Sequence, residues 1–171
     1  MSDSGSFIKN IVNHYESEKR EAIAKLKQGM AGQGALNLSS LEVIGKYMPK
    51  DLDEGEVKIY LLVASLYSIH PNHSEVKSYG RSLKMLRDSL SSGTDSLDER
   101  FTRLLNSELE DLQFQFRQFG TMLSAAEIPV DYAQMLSDLM DWAHPSRRTQ
   151  IKWARDYFAE VIQAESSASR Q

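Results

Sequence analysis

Apolar residues recur along this chain at three- and four-residue spacing, while alternation of period two is nearly absent. That is the pattern of helices and not of strands. Phe7, Ile8, Ile11, Val12, Tyr15, Ala22, Ile23, Leu26 and Met30 predict a first long helix that closes near residues 29–34. Ser39 with Glu42 reads as a capping box opening a short helix through Met48, and Pro49 to Gly55 as a polar connector. From Val57 to Ile69 the run VKIYLLVASLYSI is apolar almost all round, which predicts a central, buried helix. His70-Pro71-Asn72-His73 ends it with turn chemistry. Tyr79 to Leu90 is amphipathic and is broken by Ser91 to Thr94; Ser96 with Glu99 reads as a second capping box, for a helix to Leu105. Leu109, Leu112, Phe116, Phe119 and Leu123 line one face of the next helix. Pro129 interrupts, Asp131 caps a helix to Ala143, and Pro145 suits the first turn of a last helix that runs to about Gln163.

The expected fold class is therefore all-α, with about eight helices in a single domain over residues 7–163 and a frayed tail over 164–171. The helices form either one compact bundle or two packed sub-bundles divided near residues 70–78. No apolar run approaches the roughly 18–20 residues that span a bilayer, so no membrane partner is expected. The opening MSDSGS lacks the basic and apolar regions of a secretory signal. Cysteine is absent, which removes disulfides, thiolate metal sites and cysteine nucleophiles, and fits a cytoplasmic location.

Candidate catalytic chemistry is sparse. His70 and His73 are the nearest thing to a metal pair, but they flank Pro71 in a turn with only Glu75 close by, so they read as ordinary loop histidines. No Gly-x-Ser-x-Gly, no Ser/His/Asp arrangement and no phosphate-cradling glycine loop is present. The chain is expected to have no enzymatic activity, no metal and no cofactor.

Charge changes the picture more than composition does. The formal net charge is −4, yet residues 106–141 hold seven acids against the single base Arg117, leaving the rest of the chain net positive. Local basic surface is what phosphate binding needs. After Val76, Lys77, Arg81 and Lys84 fall at i, i+4 and i+7, opposite the apolar Tyr79, Leu83, Leu86 and Leu90, with Arg87 on the flank. Arg148, Lys152 and Arg155 repeat the arrangement on the last helix, facing away from Trp153, Tyr157 and Phe158. Each triplet reads as a cationic stripe without an interleaved acid, suited to successive backbone phosphates. No aromatic residues interleave with either stripe as base-stacking platforms would require, so backbone contact and not base reading is expected. Phe114 lies on the polar side of its helix, away from the Leu109/Leu112/Phe116/Phe119/Leu123 face, and reads either as packing on a neighbouring helix or as a protein interface.

Six short stretches in order resemble the CasB family, the small subunit of the type I-E CRISPR surveillance complex called Cascade. They are AKLKQGMAG (Ala24–Gly32), YLLVASLYSIHP (Tyr60–Pro71), GRSLKMLRDS (Gly80–Ser89), SLDERFTRLLNSELEDL (Ser96–Leu112), IPVDYAQMLSDLMDW (Ile128–Trp142) and RRTQIKWARDYF (Arg147–Phe158). The resemblance covers roughly Phe7 to Ile162. It implies an all-helical, non-catalytic protein that acts as a homodimer inside Cascade, beside the large subunit and the backbone subunit. There it would lie against crRNA and target DNA and stabilise the displaced strand without sequence preference. By position, the nucleic-acid-facing bases would be Lys25, Lys27, Arg81, Lys84, Arg87, Arg100, Arg103, Arg148, Lys152 and Arg155. The competing reading is a helical protein–protein adaptor, whose basic stripes meet acidic partner surfaces such as the 106–141 segment of another copy.

Overall fold

The computed structural model describes residues 3–17, 20–29 and 38–168, and within them the chain forms nine α-helices, two short 3-10 turns and no strand. The helices are α1 (Asp3–Glu16), α2 (Arg20–Gly29), α3 (Leu38–Ile44), α4 (Glu54–Ile69), α5 (Tyr79–Ser89), α6 (Thr94–Leu105), α7 (Leu112–Ala125), α8 (Tyr132–Met140) and α9 (Arg148–Ala168). None among the described residues is long and apolar enough to cross a membrane.

The single first helix expected from periodicity is two. Ser17 closes α1 by donating its hydroxyl to the carbonyl of His14 at 2.9 Å and its N–H to that of Asn13 at 3.1 Å. The pieces serve different neighbours. In α1, Phe7 meets Tyr60 of α4 edge-on at 4.7 Å, whereas α2 lies along α4 and α3. Gly29, the last described residue of α2, lies against α4, where a Cβ would come within 2.7 Å of the Ser65 hydroxyl; Met30 and the expected close of the helix near 30–34 lie outside the described residues.

Both expected capping boxes shift. Ser39 lies inside α3, and Ser96 lies inside α6, whose N-cap is Gly93 at φ +81°. A capping box opens α4, where Asp53 accepts from the Glu56 N–H at 2.8 Å and Glu56 accepts from the Asp53 N–H at 2.9 Å. From Ile59 to Ser68 every residue of α4 but Leu62 is buried, as its all-round apolarity predicts. Pro145 stands ahead of α9, in a turn where the Arg147 N–H reaches the His144 carbonyl at 2.9 Å. At the other end α9 continues past Gln163 to Ala168, so residues 164–168 of the expected frayed tail are helical, and 169–171 lie outside the described residues.

Helix α4 packs on α1, α2, α3, α7 and α8, while α5 packs on α7 and α9, and the buried residues form one continuous core. The α5/α9 crossing is close because of Gly80, where a Cβ would fall 2.3 Å from the Trp153 carbonyl oxygen. Trp153 sits there fully buried beside Tyr79, Phe116 and Trp142.

Two partly buried connectors run side by side. Residues 70–78 and 126–131 pair through a short parallel bridge between His73 and Val130, with Ser74 N–H on Val130 O at 3.2 Å and Val130 N–H on Asn72 O at 3.0 Å. Side chains complete the seam. His70 Nε2 meets Ile128 O at 2.6 Å, Tyr132 donates its hydroxyl to His70 O at 2.7 Å, and Ser82 donates to Pro129 O at 2.7 Å. Because carbonyls only accept, the His70 ring carries its proton on Nε2; burial holds its pKa below the ordinary histidine value. His73 Nδ1 lies 3.3 Å from both Val130 O and the Tyr132 N–H. Both histidines thus serve the seam.

Helix α7 ends in a Schellman arrangement, with Ile128 N–H on Leu123 O at 3.0 Å and Glu127 N–H on Ser124 O at 3.1 Å. Glu127 occupies the left-handed position at φ +55°, where glycine is usual. Glu127→Gly should stabilise the fold by on the order of 1 kcal/mol or somewhat less. A urea or thermal unfolding curve checks this, and an unchanged or lowered midpoint would count against it.

Candidate nucleic-acid interface

The cations near α5 come together, but not as a helical stripe. Helix α5 begins at Tyr79, with Ser78 as N-cap accepting from the Arg81 N–H at 3.2 Å, so Lys77 precedes the helix. Lys77 is left-handed at φ +75° and gives its N–H to Asp131 Oδ2 at 3.2 Å. Its side chain nevertheless lines a groove between α5 and α9 together with Arg81, Lys84 and Met85, faced by Asp156 and Ala159. Asp156 turns inward to take a 2.5 Å hydrogen bond from the buried Ser78, and Arg81 Nε lies 3.9 Å from its other oxygen. Lys84 pairs with Asp88 at 2.6 Å one turn on, and Glu75 also borders the groove.

Arg87 points elsewhere. Its guanidinium grips Asp98 of α6 with two bonds of 2.8 and 3.0 Å and lies 6.0 Å from the centre of the Tyr157 ring, while Tyr157 donates its hydroxyl to the same carboxylate at 2.7 Å. That guanidinium holds the Asp98 carboxyl below the usual carboxylate range. Arg87 therefore staples α5, α6 and α9 together.

The α9 stripe is acid-free only along its own helix. Asp141, just past α8, takes Arg148 Nε at 2.5 Å, and Asp138 takes Lys152 Nζ at 3.1 Å. Asp138 is buried and also accepts from Trp153 Nε1 at 2.7 Å and Gln134 Nε2 at 2.9 Å. The acidic 106–141 segment thus meets the basic stripe within one chain. Arg155 is exposed and makes no ion pair among the described residues.

The remaining expected bases are scattered. Lys25 lies 3.3 Å from Glu21 and 2.8 Å from Glu42, whereas Lys27 and Arg103 are exposed without an ion pair among the described residues. Arg100 rests its guanidinium 4.0 Å from Met122 Sδ. Phe114 is 68% exposed on α7.

Residues 22–158 match the family model of CRISPR-associated protein Cse2. The chain belongs to the Cse2 family. Among its relatives, CRISPR-associated protein Cse2 of Thermus thermophilus is 32% identical over 108 residues, which are 63% of this chain and 60% of that relative's length. The crystal structure of CasB from Thermus thermophilus superposes with a TM-score of 0.78 at 24% identity, over 93% of this chain and 99% of that one. A chain of a CRISPR RNA-guided surveillance complex superposes with a TM-score of 0.76 at 18% identity, over 97% of each. At these identities the two superpositions show the fold alone.

Three residues that organise the Cse2 fold here, Ser78, Asp131 and Asp138, carry no signal in the sequence that ties them to the site. Asp131 is legible as a helix cap, and it does accept from the Gln134 N–H at 2.9 Å. Its second oxygen, which fixes Lys77, leaves no trace in the spacing. Asp138→Ala should cost roughly 2–3 kcal/mol, chiefly by stranding the Trp153 N–H, because the 41%-exposed Lys152 is partly screened. Arg155→Ala should stay within about ±0.5 kcal/mol. Chemical denaturation of both variants separates a structural acid from a surface cation; equal losses would refute the distinction.

Proposed function

We propose that this Cse2-family chain is a non-catalytic small subunit of a Cascade-type, RNA-guided CRISPR complex. It binds crRNA, target DNA and the displaced strand through backbone phosphates, without sequence preference, as a homodimer beside the large and backbone subunits. The observation that carries the reading is the groove in which Lys77, Arg81 and Lys84 converge between α5 and α9. Family membership and the likeness of its fold to a surveillance-complex chain support it. The physical logic is that opening a DNA duplex against a guide is a nearly balanced exchange, so a few backbone contacts on a rigid helical scaffold can tip it. Such a role needs distributed cations and no positioned acid, base or nucleophile.

The contribution of each base follows its surroundings. Arg81, Arg100, Arg103, Arg155 and Lys27 are the exposed contacts, and Lys77 and Lys84 complete the groove. Lys25, Lys84, Arg87, Arg148 and Lys152, and more weakly Arg81, reach nucleic acid only to the extent that they leave carboxylates that already neutralise them. In a reconstituted complex, Arg81→Ala with Lys84→Ala should leave assembly intact and reduce permanganate reactivity of the displaced strand. Loss of assembly by a variant that still folds alone would instead favour the adaptor reading.

Phe114 is the protein contact in this reading. Its neighbours Gln113 and Gln115 are tied inward, the former to Gly29 O at 3.0 Å and the latter to the Ser107 hydroxyl. The ring is left as exposed apolar surface on an otherwise polar flank. Phe114→Ser should preserve the circular dichroism spectrum and thermal midpoint while weakening incorporation into the complex on size exclusion. An unfolded variant, or full incorporation, would remove Phe114 from the interface.

A further inference from the structure

Lys77 stands in a backbone region that an L-residue with a long side chain rarely adopts. Among the described residues, two others that are not glycine share that feature, and each has a local reason. Arg147, at φ +51°, sends its guanidinium to the Leu105 carbonyl, and Glu127 closes the end of α7. At Lys77 the backbone is fixed from outside, by the second oxygen of the Asp131 carboxylate whose first oxygen caps α8. The side chain has no comparable structural role, since it makes no hydrogen bond and no ion pair among the described residues. Glycine would satisfy the backbone here at no steric cost and keep the N–H that Asp131 accepts. What glycine cannot supply is an ammonium in the groove beside Arg81.

We propose that Lys77 is the anchoring phosphate contact of the α5/α9 groove, kept at a left-handed position that costs stability because the seam there delivers its ammonium to the groove. The inference rests on the reading that this groove meets nucleic-acid backbone, and it names the residue on which that contact turns. The Lys77 ammonium has no carboxylate partner among the described residues to give up on binding a phosphate. Lys84, by comparison, must exchange Asp88 for a phosphate.

The test uses the full-length protein, oligothymidylate as the probe, and a salt titration followed by fluorescence anisotropy. Lys77→Gly and Lys77→Asn both suit the left-handed region, and both should hold or raise the thermal midpoint. Each should also shallow the log–log salt dependence by about 0.7, the value of one single-strand phosphate contact, and Lys77→Arg should restore it. Arg81→Ala with Lys84→Ala is the reference for the groove as a whole. If the two Lys77 variants bind like the parent while the double variant weakens, the proposal is overturned and the groove reading stands. Should neither set alter binding, or should the parent protein not bind the probe at low salt, the groove reading falls and takes the proposal with it. A lower midpoint for Lys77→Gly would also overturn the proposal, because the position would then not be held at a cost.

Discussion

The structure turns on the pairing of two partly buried connectors, residues 70–78 and 126–131. Connectors normally run over a surface, where water satisfies their backbone groups. These two are buried in part: His70, Ser78, Ile128, Val130 and Asp131 lie inside, while Pro71, Ser74, Glu75 and Glu127 stay exposed. Their polar groups have therefore found one another: Asn72, Ser74 and Val130 through the backbone, His70 and Tyr132 through side chains. The seam locks the exit of α4 and the entry of α5 to the exit of α7 and the entry of α8. Everything basic in the α5/α9 groove hangs from that junction, through Ser78 at the head of α5 and Asp131 behind Lys77.

A second consequence is the division of labour among the cations. A positive charge helps to bind a polyanion only insofar as it is not already neutralised, and α8 supplies the neutralising carboxylates for much of α9. Asp138 does so from inside the core, where its hydrogen bonds from Gln134, Lys152 and Trp153 compensate the cost of burying it. Arg87 is absorbed in the same way by Asp98 and Tyr157. The cations left without a carboxylate among the described residues are fewer than the full set of lysines and arginines, and of those lining the α5/α9 groove Lys77 is one, while Arg81 and Lys84 keep Asp156 and Asp88.

Much of this is legible in the sequence, and the boundary of legibility is physical. Periodicity finds the buried face of α7 through Leu112, Phe116, Phe119 and Leu123, and all-round apolarity finds α4. Both are properties of one helix against an undifferentiated core. The Ser96 capping box fails because Gly93 has already turned the chain into α6, three residues earlier. The α9 stripe reads as acid-free because the carboxylates that meet it, Asp141 just past α8 and Asp138 on α8, lie seven and fourteen residues back in the chain and opposite in space. Spacing puts Lys77 on a helical stripe with Arg81 and Lys84; the three do line one groove, but by another geometry, since φ at residue 77 is not helical. Pairings between elements, and departures from regular backbone, leave no one-dimensional signature.

Two exposed methionines offer a direct test of the claim that the two cationic surfaces are unequal. Met85 lines the α5/α9 groove, and Met140 lines the α8/α9 hollow beside Asp138, Asp141 and Arg148; they are 44% and 37% exposed. A diazirine amino acid placed at each position in turn, in a reconstituted complex bound to target DNA, reports what lies over each surface. The account predicts nucleic-acid crosslinks from position 85 and none from position 140. Nucleic acid captured at 140 with only protein captured at 85 would contradict it.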